Sequence, residues 1–302
     1  GTLGYMCLEK IVMGTGKTTI TMMCQLAGAI TNIILDPIMI YGLCGCPALG
    51  VAGAAWATVI GQFVSLIVIA VVYFKKGVGI ESSIRYLKPE RQTLSSIYSI
   101  GLPAIVMQIL TPIMSYALNL ILGAISVSAV TAYGVYYKLQ NFIFMPGYGL
   151  NNASIPIISY NFGAKNKARV SQTIRYGLLY VSVIMLIGII LLQLFARQIV
   201  GIFSVTEESH QLCVLALRII TCGFFFAGAN IILQGVCQAL GKGGYSLIIS
   251  LLRFVVLALP LAWALSLTEN AANLVWLSLP MAEAGACLVA VLLTRKTYRK
   301  VI

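Results

Sequence analysis

The sequence predicts an all-α, polytopic membrane protein. Of its 302 residues, 60% are apolar and only 9% are charged, whereas a soluble globular domain carries about 45–50% apolar and about 25% charged residues. The apolar residues are gathered in stretches of about 20, which is the length that an α-helix needs to cross a hydrocarbon core of ~30 Å. This composition excludes a soluble fold.

About eight apolar segments follow one another along the chain. They are predicted near residues 18–41, 51–74, 96–125, 128–160, 171–203, 209–239, 244–266 and 271–294. The joint at 75–95 is the longest, is charged and contains Pro89, which is typical of a linker. We therefore expect two helices in residues 1–74, a cytoplasmic linker at 75–95, and a six-helix bundle in residues 96–302.

The basic residues lie on alternate joints. The net charge of +12 comes from 20 Lys and Arg against 8 Asp and Glu. The joint before the first segment holds Lys10 and Lys17, while the joints near residues 42–50, 125–130, 203–209 and 266–271 hold no basic residue. By the positive-inside rule, both termini are expected in the cytoplasm. The basic residues form no patch beside aromatic residues, so nucleic-acid binding is not expected.

Polar residues run along single faces of three apolar segments, at helical steps of three or four. They are Thr18, Thr21, Gln25, Gly28, Asn32 and Asp36 in the first segment, Gln108, Thr111, Ser115, Asn119 and Gly123 in the third, and Asn230, Gln234 and Gln238 in the sixth. Burying an unpaired amide costs several kcal/mol, so these faces must meet other helices or a watery cavity. For any single residue a helix–helix contact is the simpler interpretation. Three such faces together favour a central cavity.

Asp36 and Glu283 are the acidic residues inside apolar segments. Asp36 lies one helical turn after Asn32. A carboxylate within a membrane typically binds a proton or a cation, because neutralisation removes its desolvation cost. The alternative for Asp36 is a cap at the membrane edge or a pair with a basic residue. For Glu283, a functional role and ion pairing with Arg253 or Lys138 are equally open.

No catalytic or metal-binding pattern stands out. Residues 14–19 resemble a phosphate-binding loop, but Ile11 stands where that motif requires glycine and a membrane helix follows, which leaves a membrane ATPase as a minor alternative. The eight cysteines offer no metal or disulfide framework. The single histidine, His210, permits no catalytic triad. We therefore expect neither an enzyme nor a bound cofactor.

The chain is expected to be a fragment or a processed chain, because it begins at Gly1 instead of Met. A faint internal repeat agrees with this expectation. Residues 35–37 and 56–58 in the first two segments are matched by residues 258–260 and 276–278 in the last two. This repeat implies that a four-helix counterpart of the third to sixth segments is missing at the N-terminus.

The residues resemble the multidrug and toxic compound extrusion (MATE) family, in its bacterial branch of multidrug export proteins. The similar stretches are 32–37, 50–58, 101–103, 155–165, 217–218 and 238–242. The family fold has twelve helices in two six-helix bundles around a central cavity. The resemblance implies that the eight segments are helices five to twelve and that helices one to four are absent.

The resemblance also implies site residues. Several family members bind H⁺ or Na⁺ with an Asn and an Asp on helix five and a Thr on helix six, to which Asn32, Asp36 and Thr58 correspond. Their fourth partner, an Asp on helix one, has no counterpart in this chain. By this resemblance, the protein would bind no cofactor, and its coupling ion would be H⁺ or Na⁺. Candidate residues of the drug cavity, by placement, are Gln108, Asn119, Tyr133, Tyr136, Tyr137, Gln140, Asn141, Asn230, Gln234 and Glu283.

The function implied is secondary active efflux, in which H⁺ or Na⁺ is exchanged for organic, often cationic, drugs by alternating access. The partners would be these substrates and the lipid bilayer of the bacterial cytoplasmic membrane, and no oligomeric state follows from the sequence. One alternative is a flippase for lipid-linked oligosaccharides of the same superfamily. Such a cavity would carry several basic residues, for which only Lys138 and Arg253 qualify. Another alternative is a remnant that does not transport.

Overall fold

The computed structural model describes residues 1–75, 90–203 and 205–301. Throughout these ranges the secondary structure is helical and contains no β-strand, which confirms the predicted fold class. The chain divides into two compact units, Gly1–Lys88 and Pro89–Ile302. Most of the expected linker at 75–95 lies outside the described residues.

The first unit contains three helices: α1 (Thr2–Gly14), α2 (Thr18–Tyr41) and α3 (Val51–Lys75). Helices α2 and α3 coincide with the first two predicted segments. Lys10, which was expected in the joint before the first segment, lies in α1, and this short helix is not among the stretches long enough to cross a membrane. Tyr5 of α1 packs into the small core of this unit, and at 13 residues the helix is too short to be recognised as a membrane span.

Small residues allow α2 and α3 to pack closely. The buried positions of α3 begin with Gly53, Ala57, Gly61 and Ser65, one on each successive turn. A Cβ atom on Gly28 of α2 would lie 2.5 Å from the carbonyl oxygen of Gly61 and would overlap the Ser65 side chain. Close backbone approach at small residues is a common way for membrane helices to associate, because lipid supplies no hydrophobic drive between them.

Gly28→Ala should therefore separate α2 from α3. We expect it to lower the free energy of unfolding by about 1–3 kcal/mol, the usual cost of overpacking, measured by thermal unfolding in detergent. Gly14→Ala is the matched control, since a Cβ there meets nothing within 4 Å. Equal stability of the two variants would contradict this packing.

The second unit follows the remaining six predicted segments. Its helices are α4 (Arg91–Ile125), α5 (Val127–Gly163), α6 (Lys167–Gly201), α7 (Glu207–Thr221), α8 (Phe224–Ala239), α9 (Gly243–Leu251), α10 (Leu259–Ser266), α11 (Ala271–Leu274) and α12 (Ser278–Val301). A π-helical stretch, Leu252–Ala258, joins α9 to α10, and the 3₁₀ turn Val275–Leu277 joins α11 to α12. The last three predicted segments are therefore interrupted, not continuous.

The sixth segment is bent by 50° between α7 and α8. Gly223 lies at the bend, where a Cβ atom would come within 2.7 Å of Pro280 Cα in α12. The close packing of α12 against this point thus favours glycine. Neither feature is visible in a hydropathy pattern.

Six helical stretches of the described chain are long and apolar enough to cross a membrane, and the bent α7–α8 pair would make a seventh. Helix α5 is long enough but is not among them, because polar residues around Gln140 and Asn141 lower its hydropathy. These helices establish a polytopic membrane protein. The number is slightly below the eight spans that the sequence suggested.

Candidate functional site

Asn32, Asp36 and Thr58 lie together across the contact between α2 and α3. The Asn32 Nδ2 group donates a hydrogen bond to Asp36 Oδ1 at 3.3 Å and another to Thr58 Oγ1 at 3.5 Å. Thr58 Oγ1 itself donates to the Ala54 carbonyl at 2.9 Å, so its lone pairs remain available to Asn32. We call these three residues the Asp36 cluster.

Glycine packing holds the Asp36 cluster in place. A Cβ atom on Gly61 would lie 2.8 Å from the Gly28 carbonyl oxygen and 3.1 Å from Asn32 Cβ. The absence of that atom allows Asn32 to reach Thr58. A cavity of about 280 Å³ opens beside the cluster, with Gln25 and Gln62 also in its wall.

Asp36 is half-buried and forms no ion pair with any described residue. Its one polar contact from another side chain is the Asn32 amide. The cluster can supply carboxylate, amide and hydroxyl oxygens, which are the ligands that hard cations prefer. In the structure, however, Asn32 presents its NH₂ group, not its carbonyl oxygen, to Asp36 and Thr58.

Glu283 forms a buried ion pair in the second unit. Arg253 Nε donates to Glu283 Oε1 at 2.6 Å, and Arg253 Nη2 contacts the same oxygen. The Asn230 amide donates to Glu283 Oε2 at 2.9 Å and to the Glu283 backbone carbonyl at 3.0 Å. Of the two interpretations left open for Glu283, ion pairing with Arg253 is the one that the structure shows.

Arg253 lies within the π-helical stretch Leu252–Ala258. A π-helical turn changes the direction of side chains relative to a regular helix and is often found at functional sites. Arg253 also stacks on the Phe254 ring, with 4.7 Å between Cζ and the ring centroid. Its side chain is only 7% exposed, so the pairing with Glu283 compensates a charge that would otherwise be costly to bury.

A small aromatic pocket of about 70 Å³ adjoins this ion pair. Six of the predicted cavity residues line it: Tyr133, Tyr136, Tyr137, Gln140, Asn141 and Glu283. Tyr133 is oriented by a 3.3 Å hydrogen bond from its hydroxyl to Ser115 Oγ. The rings of Phe144 and Phe224 also line the pocket and form an edge-to-face contact, with 4.8 Å between their centroids.

A larger cavity of about 570 Å³, the amide cavity, shares Thr111, Tyr148, Arg253 and Phe254 with the aromatic pocket. Its polar lining is Gln108, Thr111, Tyr148, Asn151, Asn152, Gln234, Gln238, Ser250 and Arg253. Gln108 and Gln234 were predicted cavity residues. Asn151 and Asn152 were missed, although two successive amides in an apolar segment could have signalled them.

Two predicted cavity residues line neither cavity. The Asn119 side chain donates to the Ser115 carbonyl of its own helix at 2.9 Å, so its amide is satisfied locally. Asn230 is fully buried and positions Glu283 instead of facing a cavity. Helical spacing places a residue on a face but does not say whether the residue itself reaches open space.

No group of three or more His, Cys, Asp or Glu side chains that could hold a metal ion occurs in the described ranges. All eight cysteines are free, and three of them are buried.

The sequence model of the MatE family matches residues 103–264, which is more than half of the chain. The chain belongs to the MatE family. This confirms the resemblance seen in the residues. The match covers helices α5 to α9 entirely, and with them Arg253 and the lining of the amide cavity, whereas Leu279 and Glu283 of the aromatic pocket lie outside it.

Curated relatives of this MatE chain include the Multidrug export protein MepA of Staphylococcus aureus (strain MSSA476), at 29% identity over 289 residues. The same protein of Staphylococcus saprophyticus is also 29% identical over 289 residues. Each alignment covers 96% of this chain and 62% of the relative. The chain thus spans less than two thirds of the length of these relatives.

Solved structures share the fold. An outward-facing multidrug resistance MATE family transporter of the MOP superfamily has a TM-score of 0.87 and 24% identity, covering 95% of this chain and 64% of that one. A MOP superfamily transporter from Pyrococcus furiosus has a TM-score of 0.85 and 23% identity, with the same coverage. The apolar helices and the family membership identify the MatE chain as a membrane protein.

Removing one partner of the Arg253–Glu283 pair should destabilise the second unit. We expect Arg253→Gln to lower the free energy of unfolding by about 3–5 kcal/mol, because it leaves a buried carboxylate without compensation. The double variant Arg253→Gln/Glu283→Gln should recover much of that loss. Thermal unfolding in detergent measures both.

Lys138→Gln is the control for this pair, since Lys138 is exposed and its Nζ lies 5.8 Å from the centroid of the Phe203 ring. If Arg253→Gln unfolded at the temperature of the control, the ion pair would not stabilise the fold.

Proposed function

We propose that the complete protein containing this chain exports organic, often cationic, drugs in exchange for H⁺ or Na⁺. In this proposal the eight segments are helices five to twelve of the MATE scheme, and Asp36 binds the coupling ion. The observation that carries the proposal is the Asp36 cluster, in which a carboxylate without a basic partner among the described residues shares an amide with Thr58. The family membership and the export function in the name of MepA support it.

Occupation of Asp36 would rearrange its hydrogen bonds. In the structure, the Asn32 amide turns its NH₂ group towards both Asp36 and Thr58. Protonation weakens the charge-assisted bond from Asn32, and a bound Na⁺ requires the amide to present its carbonyl oxygen instead. Either event changes a contact between α2 and α3.

Pro37, inside α2, makes that helix responsive to the change. Proline removes one backbone hydrogen bond and weakens the helix at this point. An ion that binds one conformation of α2 more tightly than another shifts the inward–outward equilibrium by that difference in affinity. This supplies the coupling step of an alternating-access cycle.

The aromatic pocket suits the charge of the expected substrate but not its size. Tyrosine and phenylalanine rings attract organic cations through their π-faces. A pocket of about 70 Å³ is smaller than the ~300–1,000 Å³ of typical drug sites. Substrate binding would therefore require the pocket to widen.

The oligosaccharide flippase is the less favoured function. A lipid pyrophosphate needs unpaired basic residues in the cavity. Arg253 is paired with Glu283, and Lys138 is exposed beside Phe203. Arg253 is the one basic residue among the described residues that line the aromatic pocket and the amide cavity.

Asp36→Asn in the complete protein should abolish gradient-driven ethidium efflux while expression is retained, because it removes the titratable group. The initial efflux rate in cells, energised in turn by a pH gradient and by a Na⁺ gradient, is the measurement. Glu207→Gln, at an exposed acid, should transport normally. Unchanged efflux by Asp36→Asn would refute the coupling role.

We also propose that both termini lie in the cytoplasm and that the protein resides in the bacterial cytoplasmic membrane. The joints on the same side of the membrane as the termini carry most of the basic residues, and such joints are typically cytoplasmic. A green fluorescent protein fused after Ile302 should fluoresce, and alkaline phosphatase fused there should be inactive. Phosphatase fused after Glu269, in a joint without basic residues, should be active. The reverse pattern would invert the topology.

A further inference from the structure

Arg253 uses only one side of its guanidinium for Glu283. Both contacts, from Nε and Nη2, go to the same carboxylate oxygen. Nη1 forms no hydrogen bond to any described residue, and Arg253 lines the amide cavity. A guanidinium carries five N–H donors in a planar fork, so it can bind a second acceptor at its free side.

Gln234 offers a second donor in the same cavity. The residue is only 9% exposed, and its Nε2 group is buried without a hydrogen-bond partner among the described residues. Its Oε1 accepts a hydrogen bond from Ser250 Oγ at 3.1 Å. A buried unpaired N–H group is costly, and a ligand that accepts its hydrogen bond removes the cost.

The two donors belong to one surface. Gln234, Ser250 and Arg253 all line the amide cavity. Gln234 is also hydrogen-bonded to Ser250. The described lining of the amide cavity contains no acidic residue.

We propose that the amide cavity binds the carboxylate of an amphiphilic organic acid, with Arg253 Nη1 and Gln234 Nε2 as its donors. The apolar part of the ligand would lie against Met107, Ile155 and Ile231, which share the cavity wall. The volume of about 570 Å³ is within the range of drug-sized sites. The site is separate from the Asp36 cluster, and the proposal does not depend on ion coupling.

Glu283 limits the affinity of this site, because it already neutralises part of the Arg253 charge. The expected change in affinity on replacing Glu283 is therefore an increase, not the usual decrease. Glu283→Gln removes the competing carboxylate and should tighten the binding of an acid, although it breaks an ion pair. A residue with a merely structural role would weaken binding when it is replaced.

The test uses 2-naphthoate as the probe and its neutral analogue 2-naphthamide as the matched ligand. Binding to the purified complete protein in dodecyl maltoside, without any ion gradient, is measured by calorimetry against protein-free micelles. We expect naphthoate to bind at least about tenfold more tightly than naphthamide, as for a charge-assisted hydrogen bond. Equal affinities would overturn the proposal.

Three variants locate the site. Gln234→Leu should weaken naphthoate binding about tenfold, Glu283→Gln should strengthen it, and Arg253→Gln/Glu283→Gln should abolish the preference for the acid. The double variant removes both charges of the buried pair and leaves neither unpaired. It is therefore expected to fold even where a single variant does not. Gln198→Leu, at an exposed position on α6, is the control. Naphthoate binding that is unchanged in Gln234→Leu and in the double variant would contradict the assignment.

Discussion

Polar groups inside hydrocarbon must find partners, and this constraint determines both sites of the molecule. In the first unit, the Asn32 amide is shared between Asp36 and Thr58 across two helices. In the second, Arg253 and Asn230 together satisfy Glu283. The apolar helices provide the low-dielectric surroundings that make these contacts strong, and the small residues between helices set which polar groups can meet.

The two intramembrane acids have different hydrogen-bond and charge partners, and this difference distinguishes them. Glu283 has a guanidinium partner, so its charge is compensated within the fold. Asp36 has only an amide among the described residues, so a proton or a cation is the natural source of compensation. A compensated acid holds helices together, whereas an uncompensated one can respond to an ion. The structure thus shows an ion pair at Glu283 in the second unit and, among the described residues, a carboxylate without a basic partner at Asp36 in the first.

Helical periodicity predicted which residues share a helix face. It did not predict the contacts that depend on packing between helices. The spacing of Asn32 and Asp36 by four residues places them on one face, and the structure shows them in contact. Thr58 followed only from the family resemblance, because no periodicity links it to the preceding helix. The partner of Glu283 stayed open, since sequence spacing cannot tell which of two distant basic residues lies nearby. The π-helical stretch around Arg253 and the bend at Gly223 depend on contacts between helices, which leave no trace in hydropathy.

The central claim is that Asp36 changes its charge state in the working protein, and infrared difference spectroscopy tests it most directly. Spectra of the complete protein are recorded across a pH change, with and without Na⁺, and compared with those of Asp36→Asn. The account predicts a protonated-carboxyl band that appears as the pH falls and is missing in the variant. Na⁺ should suppress it if Na⁺ is the coupling ion. Identical spectra for the two proteins would contradict the claim.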